Sequence, residues 1–505
     1  MTRIGAGSTY ARLEARFARI NALAEAEGML HWDLATMMPK GGAGSRADQL
    51  AVLRALRHGL LTAPEVGDLL AQAETEAADA GEDGLWRRAN LREMQRLWRH
   101  ATALSEAQVE ALSRAVSACE ATWRDARADS DFAAVSGKLE TVLALVRETA
   151  AAKAEALGLS PYDALLDEYE PDGRSEEIDR VFADLAGFLP GFLEEVLEHQ
   201  RREPPVLIPE GPFPIDRQRT LAVTLMERLG FDFDHGRLDV SLHPFCGGTP
   251  DDVRITTRYD EADFTSALMG VLHETGHALY ERGLPERWRR QPVGQARGMS
   301  VHESQSLLVE MQVCRSRPFL SFAAPLLREA FEAEGPAWET DNLYRLYTRV
   351  EPGFIRVDAD EVTYPAHVIL RYRLERAMVA GDLAICDLPA AWNEGHEKLL
   401  GIVSPDDRRG CLQDIHWCDG AWGYFPTYTL GAMTAAQLFA AASTADPAIE
   451  PGIGRGDFAP LLAWLRANVH GKGSLVSSRA LLEEATGKGL DASVFKSHLR
   501  RRYLG

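Results

Sequence analysis

A chain of 505 residues with 46% hydrophobic composition buries a large core and a deep cleft without needing disulfide staples. Its formal charge of -20 and pI near 5.2 give a surface that repels phosphate backbones, and no lysine or arginine stripe offsets it, so no nucleic acid is expected as a partner. Six cysteines, Cys119, Cys246, Cys314, Cys386, Cys411 and Cys418, form no Cys-x-x-Cys pair, which fits neither a disulfide framework nor a zinc ribbon and points to a reducing, cytoplasmic compartment.

Residues 1–8 lack the apolar run of a secretory signal. Over residues 10–157, Ala, Leu, Arg and Glu dominate, and apolar residues return every three or four positions, as at Leu91, Met94, Leu97 and Trp98. That period predicts a helical bundle, divided at Gly41-Gly42, between Gly81 and Gly84, and at Gly158-Leu159-Ser160-Pro161. Residues 178–202 predict a helix interrupted near Pro190. The Pro- and Gly-rich residues 203–217 predict a loop, a soft sub-boundary inside one unit spanning 1–505.

Residues 237–259 change in kind. A His-Pro-Phe segment, a Gly-Gly-Thr-Pro turn and the β-branched run from Val253 to Thr257 predict a small antiparallel sheet. Helices then resume almost to Gly505, broken by a Gly-, Pro- and Trp-rich stretch at 410–426 of the kind that carries ligand contacts. The longest apolar region, 430–442, is short and contains Gln437, so no membrane span is expected.

His273-Glu274-Thr275-Gly276-His277 lies within a helical pattern of Phe264, Ala267, Leu268, Val271, Leu272, Ala278 and Leu279. At i and i+4 the two imidazoles share one face, so both reach a single zinc ion while Glu274 points toward its water. Zinc lowers the pKa of that water to about 7, and a carboxylate must move its proton to the leaving amine; Glu274 is the candidate base. Two core histidines on a helix are the bland alternative. A third ligand is required, and His302, Glu303 and Glu310 lie downstream. Glu303 is preferred, opening a helix predicted over 300–316, although Ser300-x-x-Glu303 also fits a capping box and spacing leaves both readings open. His396-Glu397 has no second imidazole at i+4 and is given no role.

The motifs His243-Pro244-Phe245, Asp252-Val253-Arg254-Ile255-Thr256, the zinc helix, His302-Glu303-Ser304, Ile355-Arg356-Val357-Asp358-Ala359-Asp360 and Gly410-Cys411-Leu412-Gln413-Asp414-Ile415-His416-Trp417 follow in order. With Leu30-His31-Trp32-Asp33 and the Pro161-Tyr162-Asp163 stretch, the chain resembles, over nearly its whole length, the carboxypeptidase Taq family of thermostable zinc metallocarboxypeptidases. The resemblance implies Glu303 as third ligand. It also implies a mainly α, large helical peptidase fold with a long central groove, like neurolysin and angiotensin-converting enzyme, with the small antiparallel sheet beside the active site. A homodimer, zinc or cobalt as metal, and release of single C-terminal residues from peptides with broad tolerance are further implications. An endo-acting oligopeptidase, and a zinc-bearing binding protein without catalysis, are the rival readings.

An exopeptidase must bind the substrate's free carboxylate, for which an arginine fork is suited. Arg356 is the first candidate and Arg254 the second, each with an internal ion pair as alternative: Arg356 with Asp358 or Asp360, Arg254 with Asp252. His416 is a candidate for that carboxylate or for the oxyanion, and Tyr424 for the oxyanion, against a buried aromatic cluster of Trp417, Trp422, Tyr424 and Phe425. His243 either lines the cleft or braces the sheet turn.

Overall fold

Residues 8–76 and 81–505 are described by the computed structural model. Residues 1–7, read above for a signal, and 77–80, inside the predicted bundle, lie outside the described residues. The first third forms helices α1 (Thr9–Thr36), α2 (Ala43–Leu61), α3 (Glu65–Glu76), α4 (Glu82–Thr102), α5 (Glu106–Asp129) and α6 (Phe132–Leu157). Ser8, Ser105 and Asp131 start three of them by accepting first-turn N–H groups. Gly158, at φ 72, stops α6.

Helices α7 (Pro161–Leu166), α8 (Ser175–Gln200) and α9 (Ile215–Leu229) follow. Pro190 does not interrupt α8. Phe182, Leu185, Leu189, Phe192 and Val196 form one buried stripe on both sides of it, and that packing outweighs the hydrogen bond lost at the proline.

Strands β1 (Gly236–Val240), β2 (Phe245–Thr249) and β3 (Asp252–Thr257) form a sheet in the order β1-β3-β2. The β2–β3 hairpin is antiparallel as expected, but β1 pairs with β3 in parallel, so the sheet is mixed. β3 takes the middle because Val253, Ile255, Thr256 and Thr257 are all buried, whereas β2 is only partly covered along its length.

The remaining helices are α10 (Phe264–Gly283), α11 (Met299–Leu307), α12 (Arg317–Phe331), α13 (Thr340–Tyr347), α14 (Tyr364–Ala380), α15 (Leu388–Leu400), α16 (Pro426–Ala445), α17 (Ile449–Ile453), α18 (Ala459–Asn468), α19 (Ser478–Thr486) and α20 (Ala492–Tyr503). The helix expected over 300–316 is α only as far as Leu307 and continues as a π-helical turn, Leu308–Cys314. The apolar stretch at 430–442 lies in α16, and among the described residues no helix is long and apolar enough to cross a membrane.

Three packing facts position the site. Val271 and Ala278 of α10 share an apolar cluster with Leu238, Val253 and Ile255 of the sheet. On its other side α10 meets α11 so closely that a Cβ on Gly276 would fall 2.4 Å from the Gln305 carbonyl oxygen. α16 approaches α11 through a second glycine, Gly431, where a Cβ would stand 2.8 Å from that of Glu303. The largest core joins residues from Cys119 to Tyr503, on both sides of 203–217. Tyr10, Leu13, Phe17, Val66, Leu69, Leu70 and Met94 form a separate core among α1, α3 and α4.

Candidate metal centre

Asp263 starts α10 by accepting from the Thr265 N–H at 2.8 Å, which sets the phase of the helix. His273 and His277 then stand one turn apart with ring centroids separated by 5.0 Å. α11 brings Glu303 to them: its Oε2 is 3.5 Å from His277 Nε2 and 3.9 Å from His273 Nε2. The three ligand-capable atoms all lie within 4.8 Å of one another. Donors bonded to one tetrahedral zinc at about 2.0–2.2 Å sit about 3.4 Å apart, so two imidazole nitrogens and a carboxylate oxygen at this spacing fit one small divalent ion.

The other two third-ligand candidates do different work. Glu310 lies in the π-helical turn, and its Oε2 accepts from His273 Nδ1 at 2.9 Å while Arg315 donates to Oε1 at 2.6 Å. A protonated Nδ1 leaves Nε2 free to ligate. His302 turns its Nε2 to Glu281 at 2.8 Å and packs its ring 4.5 Å from that of His277. The capping-box alternative for Glu303 has no counterpart, because the residue at the start of α11 is Gly298 at φ 46 and the Ser300 N–H donates to Glu170 at 3.0 Å.

Charge and burial divide the groups. Burial pushes Glu274 up to about 7, against the pull of His273. Burial also raises Glu303, but the His277 hydrogen bond and the charges of His273 and His302 bring it down to about 2. His277 falls to about 4 through burial and repulsion from His302. His273, despite burial, rises to about 10 beside Glu310 and Glu303. The sheet borders this centre, since the Glu274 charge joins burial in pushing the Cys246 thiol of β2 well up.

Arg356 is buried at 6% exposure. Its Nε and Nη2 donate to Asp414 Oδ1 at 3.1 and 2.8 Å, not to Asp358 or Asp360. Asp414 Oδ2 accepts from Arg371 Nε at 2.6 Å, and these two guanidinium groups overcome burial to hold the carboxyl far below its usual range. Gln413 Oε1 accepts the Arg356 N–H at 2.9 Å. The guanidinium lies 4.6 Å above the Tyr428 ring, and His416 Nε2 is 3.1 Å from the Tyr428 hydroxyl. Burial, reinforced by Arg356 and Arg371 against the pull of Asp414, lowers His416 to about 4, keeping it neutral.

Trp417, Trp422 and Phe425 are buried, but Tyr424 and Tyr428 are only partly so. Burial raises Tyr424, Tyr428 and Tyr364, and the Glu303 carboxylate adds to each rise. The arginine and tyrosine cluster therefore lies within electrostatic reach of the metal centre. The sequence does not single out Tyr364 and Tyr428: they open α14 and α16, and no local pattern joins them to Arg356.

Arg254 is held elsewhere. Its Nε and Nη2 donate to Asp252 at 3.0 and 2.7 Å, and its guanidinium stacks 4.2 Å from the Trp32 ring of α1. His243 is exposed on the turn between β1 and β2, where its carbonyl accepts from Ser241 Oγ at 2.6 Å.

A family model described as carboxypeptidase Taq (M32) metallopeptidase matches residues 12–503. Thermostable carboxypeptidase 1 of Thermus thermophilus is 40% identical over 507 residues, covering 98% of this chain and 97% of that protein. Carboxypeptidase 1 of Bacillus subtilis is 33% identical over 488 residues, 96% of each. Among solved structures, Trypanosoma cruzi metallocarboxypeptidase 1 superposes with a TM-score of 0.96 at 41% identity, over 98% of this chain and 99% of that one. An M32 carboxypeptidase from Deinococcus radiodurans R1 does so with a TM-score of 0.91 at 34% identity, over 98% of each chain.

Proposed function

The chain belongs to the carboxypeptidase Taq (M32) metallopeptidase family, and from that premise we propose that it is a zinc-dependent carboxypeptidase releasing single C-terminal residues from peptides of varied sequence. The observation that carries this reading is the convergence of His273, His277 and Glu303 within 4.8 Å, beside a buried Glu274.

His273, His277 and Glu303 are the residues that would hold the ion. Bound zinc, or cobalt in its place, supplies Lewis acidity that polarises the scissile carbonyl and acidifies a water. Glu274 takes the proton of the attacking water on a carboxylate oxygen and delivers it to the departing amide nitrogen. A carboxyl raised toward 7 suits both halves of that transfer. Tyr424 and the neutral His416 donate to the oxygen where negative charge develops.

Arg356 binds the terminal carboxylate of the peptide. Asp414 fixes the Nε and Nη2 edge of its fork, so the side chain is oriented before substrate arrives. Arg254 ranks second because it is stacked on Trp32 rather than among the tyrosines that sense Glu303. His243 is the outermost candidate contact. A homodimer in a cytoplasmic setting, without nucleic-acid or membrane partners, completes the reading.

Mass spectrometry of paired peptides with a free or an amidated C-terminus tests it, using metal-loaded enzyme. Stepwise loss of single residues from the free peptide alone is expected, with Arg356→Lys raising KM more than it lowers kcat. Internal cuts in both peptides would instead make the protein an endopeptidase with the same metal chemistry, and no cuts in either would favour a binding role.

A further inference from the structure

Glu361 is a buried carboxylate, outside the metal centre, that collects donors from two distant parts of the chain. Gln312 Nε2 donates to its Oε1 at 2.9 Å, and His498 Nε2 lies 2.9 Å from the same atom. Arg502 Nη1 and the Tyr503 hydroxyl donate to Oε2 at 2.9 and 3.2 Å. Burial pushes this carboxyl up, but His498 and Arg502 hold it well below the usual carboxylate range.

Arg502 reaches further. Its Nη1 also donates to the Met311 carbonyl, and its Nη2 to the Gln312 carbonyl at 3.3 Å. Both carbonyls lie at the end of the π-helical turn, where the last acceptors of a helix have no partner within it. That turn carries Glu310, which holds His273 Nδ1. On its other flank, Glu361 directly follows the segment from Ile355 to Asp360 that carries Arg356.

We propose that Glu361 and Arg502 are positioning residues for the site: through them α20 sets the turn that orients a ligand histidine and the segment that presents Arg356. Neither side chain touches metal or peptide. A buried ion pair adds little net stability over apolar packing of the same volume, but its directional hydrogen bonds fix the geometry of what it joins. The proposal rests on the metallocarboxypeptidase reading and adds to it a control point at α20.

The test compares Arg502→Ala, Arg502→Lys and Glu361→Gln with Leu481→Ala, a core truncation in α19 at a fully buried position. Metal Kd is measured by chelator competition on folded protein, and kcat and KM are measured separately on a peptide with a free C-terminus. Arg502→Ala and Glu361→Gln are expected to weaken metal binding by about tenfold, as loss of a ligand's outer support does, and to raise KM severalfold. Lysine restores part of both, because it keeps the charge toward Glu361 but cannot serve two carbonyls with a fork. Leu481→Ala lowers Tm and moves neither quantity.

Variants at 361 and 502 that lower Tm alone, with wild-type metal Kd and KM, overturn the proposal. Should Arg502→Ala fail to fold, Arg502→Lys and Glu361→Gln decide by the same two readouts. A wild-type protein that binds no divalent metal and cleaves no peptide defeats the parent reading; one that does both beside unaltered variants defeats only this inference.

Discussion

Replacing Gly276 with alanine places a methyl group 2.4 Å from the Gln305 carbonyl oxygen and 2.6 Å from Ser306 Cα. Ordinary contacts of this kind open to about 3.5 Å, so α11 must retreat by about 1 Å. Overpacking costs about 1–3 kcal/mol, and alanine recovers about 1 kcal/mol over glycine inside a helix. At the upper end of that range global stability falls by about 2 kcal/mol, a shift of a few degrees in Tm. Metal geometry tolerates only about 0.2 Å, and Glu303 rides on the displaced helix. Gly276→Ala is accordingly expected to fold and to lose at least about tenfold in metal affinity. Chelator competition measures the affinity, and a thermal melt of the metal-free protein measures the stability. Wild-type affinity in the folded variant would refute the view that backbone contact between α10 and α11 sets the centre.

Glu274→Gln should retain its metal and lose about 10²- to 10⁴-fold in kcat; near-normal turnover at full metal content would remove Glu274 from the base role. Glu310→Gln keeps an acceptor for His273 but loses the charge paired with Arg315, so metal affinity should drop by about tenfold, and an unchanged titration would dismiss that support. Glu375 sits under the 410–426 loop, accepting from Tyr162, Trp417 and Gly423 at 2.7, 2.8 and 2.8 Å, and burial nevertheless pushes it up to about 7. A carboxyl raised on folding contributes stability that is present at low pH and lost as pH rises from its ordinary value of 4.5 to about 7. The stability of wild type relative to Glu375→Gln, measured by denaturant unfolding, should shrink between about pH 5 and pH 8; a constant difference contradicts the raised value.

The helical repeat made His273 and His277 legible, because spacing alone places them on one face. Glu310 was partly legible at seven residues beyond Glu303, but nothing local assigns it to His273 Nδ1. The Arg356 partner was misplaced for a related reason: Asp358 and Asp360 were near in sequence, whereas Asp414 reaches the arginine from 58 residues away. Asp360 instead accepts the Val362 and Thr363 N–H groups at 3.0 Å each. Pro190 and the π-helical turn escaped because tertiary packing overrode local propensity at both places. The parallel pairing of β1 escaped because strand order depends on which strand can be buried on both sides, a property of the assembled molecule.

The separate apolar core among α1, α3 and α4 meets the rest of the molecule along a seam that includes polar contacts. Asn90 Nδ2 donates to Gln291 at 3.1 Å, and Arg297 Nη1 to Glu93 at 2.9 Å. Trp86 of α4 also stacks on Trp288 at 5.6 Å, in an apolar cluster of Ala89, Trp288, Val293 and Leu475 that crosses the same seam. Asn90, Glu93 and Arg297 are themselves buried, so apolar packing and enclosed hydrogen bonds together join the early helices to the part of the molecule that carries α10.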